Sequence, residues 1–449
     1  MRKIIPTIIL LILSHTIWGQ ETLQSSSLSE LLMEKSLNFS IASILRGILG
    51  MGVIIFVCWC LSSNRKAIHW RTVFKALLLQ FTIAVSVLAF PAVQTIFEMM
   101  GNIFISVLAW TKAGSNFLFG SLMDMSKFGY VFALQILPTI IFFSALMSLF
   151  FYLGIMQKVV WVMGWLLTKF MKLSGAEALT CAGNVFLGQS EAPLLAKAYI
   201  PNMTKSELMV IMTSGMATMS GGVLAAYIGM LGQGDPSLEL EFAKHLLSAS
   251  VMAAPGAIAL SKILVPQTEE IDNTVNVSRE KIGKNILDAI SNGTADGLKM
   301  AANIAALLLV FYALIAGANE ILGLLKLPTL EKILAFVFSP VIWFTGVPSE
   351  DIGLVGRLLG EKLILTEFVG YQSMAQMIGS GAFQSPKSVI MASYVLCGFA
   401  NFASVGIVIG AVGSIAPNKK HILSQYGLKA LLGSALVALM SAAMIGMFL

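Results

Sequence analysis

The side chains with the most chemical potential are polar groups set in apolar surroundings. Gly188-Gln189-Ser190-Glu191-Ala192-Pro193 is the clearest case, with Val185-Phe186-Leu187 leading in and Leu194-Leu195-Ala196 following. A carboxylate inside such a stretch is costly in a bilayer, and it points to a protein-lined cavity rather than lipid. The flanking Gly and Pro interrupt a helix and free backbone groups, which a membrane tolerates only where they line a cavity or bind something. The second case is Glu367, in the cation-free run Leu363-Ile364-Leu365-Thr366-Glu367-Phe368. Carboxylates beside amides and hydroxyls can hydrogen-bond a polar solute, and a pair of them could also act as acid and base. No nucleophile–base pair, metal cluster or phosphate-binding loop accompanies them, which sets an enzyme aside. His15, His69, His245 and His421 are scattered, and Cys58, Cys60, Cys181 and Cys397 lack ligand spacing. The cysteines read as small buried apolar side chains.

The elements that must position these residues follow from composition. Of 449 residues, 57% are hydrophobic and 12% charged, with mean hydropathy +0.84. Soluble domains carry about 25% charged residues, so this is an all-α polytopic membrane protein. The net charge of +6 lies largely in short connections and bears on topology rather than on nucleic acid. Residues 1–19, with Arg2-Lys3 before a short apolar core, read as a signal peptide, or else as an uncleaved interfacial segment. Residues 20–40 are a polar segment placed outside. Spans are expected at 41–61, 73–97 and 131–153, with Pro138 inside the third and a short interfacial helix within 98–127.

Residues 155–175 form an amphipathic interfacial helix. Residues 176–201 are too short for two crossings, which need about 40 residues, so a re-entrant hairpin is expected. The span 206–231 holds Thr213, Ser214, Thr218, Ser220, Gly221 and Gly222, which suits an interrupted helix and also close helix packing. After a span at 246–265 come a charged connection with an amphipathic helix, 267–292, and a span at 298–325. A second hairpin is expected at 328–376, with Ile333–Thr345 as its first arm. A broken span at 389–415 holds Asn401 and Ser404, and the last span is 428–449. The division is therefore scaffold 41–154, first repeat 155–266, connection and scaffold helix 267–327, second repeat 328–449. Two interrupted units in corresponding places mark a transporter whose site lies at the repeat interface.

Gly188-Gln189-Ser190-Glu191-Ala192-Pro193, Thr366-Glu367-Phe368, and Cys397-Gly398-Phe399-Ala400-Asn401-Phe402-Ala403-Ser404-Val405-Gly406-Ile407 resemble the concentrative nucleoside transporter family, in its order. Gly346-Val347-Pro348 and Gly360-Glu361-Lys362 add to the likeness, which covers about residues 40–449. The resemblance implies about eight spans, two opposed re-entrant hairpins in an inverted repeat, a homotrimer, and a mobile transport domain in a fixed scaffold of the cell (inner) membrane. It implies cation symport of nucleosides such as uridine, with no cofactor beyond the coupling ion. By the family pattern Gln189, Ser190 and Glu191 meet the nucleobase, and Glu367, Asn401 and Ser404 the ribose. Val223 and Phe399 pack on base and sugar. Sodium falls to Asn184, the Leu187 carbonyl, the Thr218 hydroxyl and the Met219 carbonyl, all hard oxygens. Ser190 stands where many relatives have Thr, and Thr366 where Asn usually precedes the Glu, which questions the support of Glu367. Some bacterial relatives use protons, but Asn184 and Thr218 favour sodium. Proton coupling, or symport of another small polar solute, stays as the alternative.

Arg65, Lys66, Arg71 and Lys75, and later Lys419-Lys420, place two loops in the cytoplasm and Leu449 outside. An impermeant thiol reagent applied to intact cells should leave a Cys introduced at Asn64 unlabelled and should label one placed just after Leu449. The opposite pattern would reverse the topology.

Overall fold

A computed structural model describes residues 40–128, 131–171, 173–272, 274 and 283–449. The expected signal segment 1–19, and 20–39 of the polar segment, lie outside the described residues. Among the described residues the regular elements are helical, and eight helices are long and apolar enough to cross a membrane. Helix α1 is Ile41–Cys60 and α2 is Trp70–Ala89. Phe90 is extended because it precedes Pro91, and Pro91 then opens α3, Pro91–Phe119, at the one place where a missing N–H costs nothing. The second span therefore ends before 97, and the interfacial helix expected within 98–127 is instead the body of a long helix. Its mixed composition has a partner: Glu98 lies 3.6 Å from Lys244. The third span is likewise divided. A short turn, Phe132–Gln135, precedes α4, Leu137–Tyr152, which carries Pro138 in its first turn.

Six elements then follow twice. In the first set α5 is Ile155–Met171, α6 Gly175–Asn184, α7 Ala192–Leu195, α8 Lys205–Ala217, α9 Gly221–Gly232 and α10 Pro236–Leu264. A single helix, α11, Ile286–Leu324, leads to the second set. There α12 is Leu330–Thr345, α13 Ile352–Ile364, α14 Glu367–Gly379, α15 Pro386–Leu396, α16 Phe402–Ile415 and α17 Lys420–Gly446. This order corrects the second hairpin. Leu330–Thr345 is the counterpart of α5, each lying along the first hairpin arm that follows it, and the hairpin itself is α13 and α14 with its break at Leu365-Thr366. Two helices also start earlier than their apolar cores suggest. Asp235 caps α10, accepting the Ser237 N–H at 2.8 Å, and Asn285 caps α11, accepting the Asp288 N–H at 2.9 Å.

Helices α8, α9, α10 and α17 are buried almost throughout, whereas α1, α3 and α11 show most of their surface outward. The 39 residues of α11 span about 58 Å, well beyond a bilayer core of about 30 Å. This helix packs on α4 through Gly293 and Gly297, where an added Cβ would lie 2.5 Å from Ser148 and 2.8 Å from Ile141. Small residues four apart let two membrane helices approach this closely.

The first hairpin is anchored by charge. Ser174 and Glu177 form a capping box at the start of α6, and buried Lys262 of α10 donates to Glu177 and, at 3.1 Å, to Ser206 of α8. Asp351 does similar work at the base of the second hairpin, accepting the N–H groups of Gln384 and Ser385 at 3.0 Å each.

The two interrupted helices meet at their interruptions. Chain α8 ends at Ala217 and α9 begins at Gly221; α15 ends at Leu396 and α16 begins at Phe402. Gly398 has φ +89°, and a Cβ there would lie 2.4 Å from the Ala217 carbonyl oxygen. Both the backbone angle and the contact demand glycine. Gly398→Ala should therefore destabilise the fold by about 2–5 kcal/mol, combining left-handed strain with overpacking, read as a lowered Tm of the purified protein. An unchanged Tm would mean that the crossing is looser than this.

Candidate substrate and cation site

Glu367 is the first residue of α14, so its carboxylate sits at the partial positive end of a helix. Thr366 serves as the N-cap, accepting the Val369 N–H at 3.4 Å, so its hydroxyl is used on the helix. Support of the carboxylate comes from elsewhere. Asn401 Nδ2 donates to Glu367 Oε2 at 2.6 Å, and the Tyr227 hydroxyl donates to Oε1 at 3.2 Å. Asn401 is itself fixed as the N-cap of α16, its Oδ1 accepting the Ser404 N–H at 2.8 Å. Tyr227 is held by stacking on Tyr371, with ring centres 4.0 Å apart, and by the edge of Phe368. Across the repeat boundary, Gln189 Nε2 donates to Ser404 Oγ at 3.1 Å. Gln189 Oε1 is buried and has no hydrogen-bond partner among the described residues. The structure thus brings Gln189, Glu367, Asn401 and Ser404 into one chain of hydrogen bonds, with buried Val223 one turn before Tyr227 and buried Phe399 in the second break.

The other two residues expected at a nucleobase are placed differently. Ser190 is exposed and Glu191 half-buried. Glu191 lines a cavity of about 270 Å³, together with Ser220 of the first break, Phe143 and Ser144 of α4, and Asp296 of α11. This cavity separates the first hairpin from the α4–α11 pair.

The candidate cation ligands lie where two helix C-termini converge. Asn184 ends α6 and Thr218 caps the end of α8. Asn184 Nδ2 donates to Ser214 Oγ at 2.9 Å, and the Thr218 hydroxyl donates to the Ser214 carbonyl at 2.9 Å. Asn184 Oδ1 is buried with no hydrogen-bond partner among the described residues. Leu187 and Met219, expected to offer carbonyls, are buried in the hairpin tip and the break. An unsatisfied neutral oxygen beside two partially negative helix ends suits a small hard cation.

Two participants were not anticipated from sequence, Tyr227 and Ser214. Helical spacing carries the signal for both: Tyr227 lies four residues after Val223, and Ser214 four before Thr218, each on the same face.

Paired interrupted helices around a polar network at the repeat interface define a secondary transporter. Family models agree on which one. Residues 49–122 match the N-terminus and 245–446 the C-terminus of the Na+ dependent nucleoside transporter family, and 133–234 match a nucleoside recognition (Gate) model. The chain is 36% identical to the nucleoside permease NupC of Helicobacter pylori over 422 residues, covering 91% of this chain and 99% of that protein. It is 38% identical to sodium/nucleoside cotransporter 1 of Rattus norvegicus over 419 residues, 88% of this chain and 62% of the rat protein. A solved structure of CNTnw in an inward-facing substrate-bound state superposes with TM-score 0.84 at 37% identity, over 90% of this chain and 98% of that one. An outward-facing variant of CNTnw gives TM-score 0.85, with the same identity and coverage. The chain belongs to the concentrative nucleoside transporter family. It is a multi-pass protein of the cell membrane and a nucleoside transporter, not an enzyme.

Replacing Glu367 by Gln keeps the volume and removes the charge. If the carboxylate accepts from sugar hydroxyls, its loss should weaken uridine binding by about 1.5–3 kcal/mol, on the order of ten- to hundredfold. Binding of 2′- and 3′-deoxynucleosides should fall less, and Tm should change little. Isothermal titration of the purified variant decides; equal losses for ribo- and deoxynucleosides would remove Glu367 from the ribose.

Proposed function

We propose that this chain imports nucleosides such as uridine by symport with sodium, through alternating access of a mobile unit built from the two repeats. The observation that carries the reading is the buried network Gln189–Ser404–Asn401–Glu367, joined across the repeat interface. In this reading Glu367 accepts from the ribose hydroxyls, a charge-assisted bond among the strongest available. Asn401 and Ser404 hold the same sugar. The free Oε1 of Gln189 accepts from a nucleobase N–H, Ser190 and Glu191 reach the base from the cavity side, and Val223 and Phe399 pack on the solute. The two hairpins re-enter the membrane from opposite sides, and three copies associate through exposed outer helices.

Sodium is favoured by the unsatisfied Asn184 Oδ1 beside the Thr218 hydroxyl, with the Leu187 and Met219 carbonyls completing a set of neutral oxygens. One charge crossing 100 mV releases about 2.3 kcal/mol, which at about 1.4 kcal/mol per decade accumulates a neutral nucleoside roughly 40-fold.

Uptake of labelled uridine into proteoliposomes, with and without a sodium gradient, tests the whole. Thr218→Val removes one ligand oxygen, which should raise the sodium concentration for half-maximal uptake about three- to tenfold, with maximal uptake nearly kept. Uptake by the parent protein that follows a pH gradient and ignores sodium would replace the ion by a proton. Transport of another polar solute in preference to any nucleoside would replace the substrate.

A further inference from the structure

Lys362 lies on α13, three residues before the break of the second hairpin, and it has no exposed surface. Its Nζ donates to the carbonyls of Val395 at 3.0 Å and Cys397 at 2.5 Å. Both carbonyls belong to the C-terminal end of α15, where the helix is interrupted. A buried ammonium usually takes a carboxylate partner, as Lys262 takes Glu177. Among the described residues Lys362 has no carboxylate within salt-bridge distance, and its bonds run to a helix terminus instead.

The place it occupies has a counterpart. Helix α13 corresponds to α6, and α15 to α8. Cys397 caps the end of α15 as Thr218 caps the end of α8. In the first repeat the junction of hairpin arm and half-helix terminus holds neutral oxygens, one of them unsatisfied. In the second repeat the same junction holds a cation on a side chain. Two helix C-termini meeting in a low-dielectric interior favour positive charge in both places.

We infer that the Lys362 ammonium is a tethered counterpart of the coupling cation, a positioning residue that neutralises the end of α15 and fixes the second hairpin to the second break. Glu367 follows it by five residues and Asn401 follows Cys397 by four, so the half of the site that these residues form is assembled at all times. The half formed by the first repeat is assembled only when an ion arrives. The comparison with the first repeat rests on the sodium reading above; the assignment of Lys362 does not.

Uridine uptake into proteoliposomes tests this with substitutions at Lys362. Lys362→Ala leaves space without charge, and Lys362→Met fills the space without charge. Both should transport about tenfold less than the parent or worse, because carbonyls lose a charged donor. Methylammonium should restore uptake to Lys362→Ala and not to Lys362→Met, and urea to neither. Lys362→Gln supplies a neutral oxygen as Asn184 does, so its uptake should depend on sodium about as the second power where the parent is close to first. Parent-like uptake by Lys362→Met overturns the inference, as does a folded Lys362→Ala protein that methylammonium fails to restore. If Lys362→Ala does not fold, Lys362→Met decides the assignment alone, and the parent's sodium slope in Lys362→Gln overturns the comparison with the first repeat. A parent protein indifferent to sodium would defeat the sodium reading, while the methylammonium arm would still judge Lys362.

Discussion

Interrupting a helix in an apolar interior frees carbonyls and N–H groups that no water is present to satisfy, and this constraint shapes the whole core. Several of the freed groups take a partner from a different element. The Val185 carbonyl at the first hairpin tip accepts from Ser250 of α10 at 3.2 Å, and the Phe186 carbonyl accepts the N–H of Gly221, which opens α9, at 2.9 Å. In the second repeat Tyr371 donates to the Ser393 carbonyl at 3.2 Å, and Lys362 takes the next carbonyls along. Each partner is a packing requirement as well as a hydrogen bond, because the donor must arrive on its own helix. The dense contact of α8 and α9 with α10, and of α15 and α16 with α17, is therefore a consequence of breaking the helices.

The same constraint makes the site a property of both repeats together. The second arm of the first hairpin, α7, packs on α16, and the second arm of the second hairpin, α14, packs on α9. The polar bonds follow this exchange: Gln189 reaches Ser404, and Tyr227 reaches Glu367. Neither repeat carries a complete set of groups. With Gly398 pressed against the Ala217 carbonyl, the two breaks are in close backbone contact and pack as one unit.

Much of this was legible in the chain. Glu191 and Glu367 announce themselves because an ionisable side chain in an apolar run needs a reason, and Thr218, Ser220, Gly221 and Gly222 in one span and Asn401 and Ser404 in the other mark interrupted helices through composition. What the sequence hid was held by long-range partners. The glycines and charges of 98–127, Lys112 and Asp124 among them, read as interfacial, whereas α3 runs through most of this stretch and Glu98 near its start meets Lys244 of α10. Ile333–Thr345 passed for a hairpin arm because apolar periodicity does not distinguish a helix lying along a hairpin from one within it. Tyr227 was invisible as a ligand of Glu367 because it is one aromatic among many apolar neighbours, and its role comes from 140 residues away. Thr366 invited concern as a departure from the family pattern, yet its hydroxyl caps α14 while Asn401 and Tyr227 hold the carboxylate.

The outer helices show what a core of this kind needs around it. Gly293 and Gly297 bring α11 close to α4, and the Ser148 hydroxyl donates to the Ala289 carbonyl at 2.7 Å, so this pair is joined by direct contacts of its own. Between it and the first hairpin lies the cavity that Glu191 shares with Asp296. Asp296 is exposed and lies 3.8 Å from Lys299 of its own helix, and most of the cavity wall is apolar, with Phe143, Met147, Phe151 and Leu194 in it. Side chains lining a cavity lack partner atoms on one side, so this boundary is packed less closely than the core. The interior of the core, where each freed carbonyl named above has its donor, offers no such boundary. The gap in packing thus lies between the α4–α11 pair and the first hairpin, outside the network that joins Gln189, Ser404, Asn401 and Glu367.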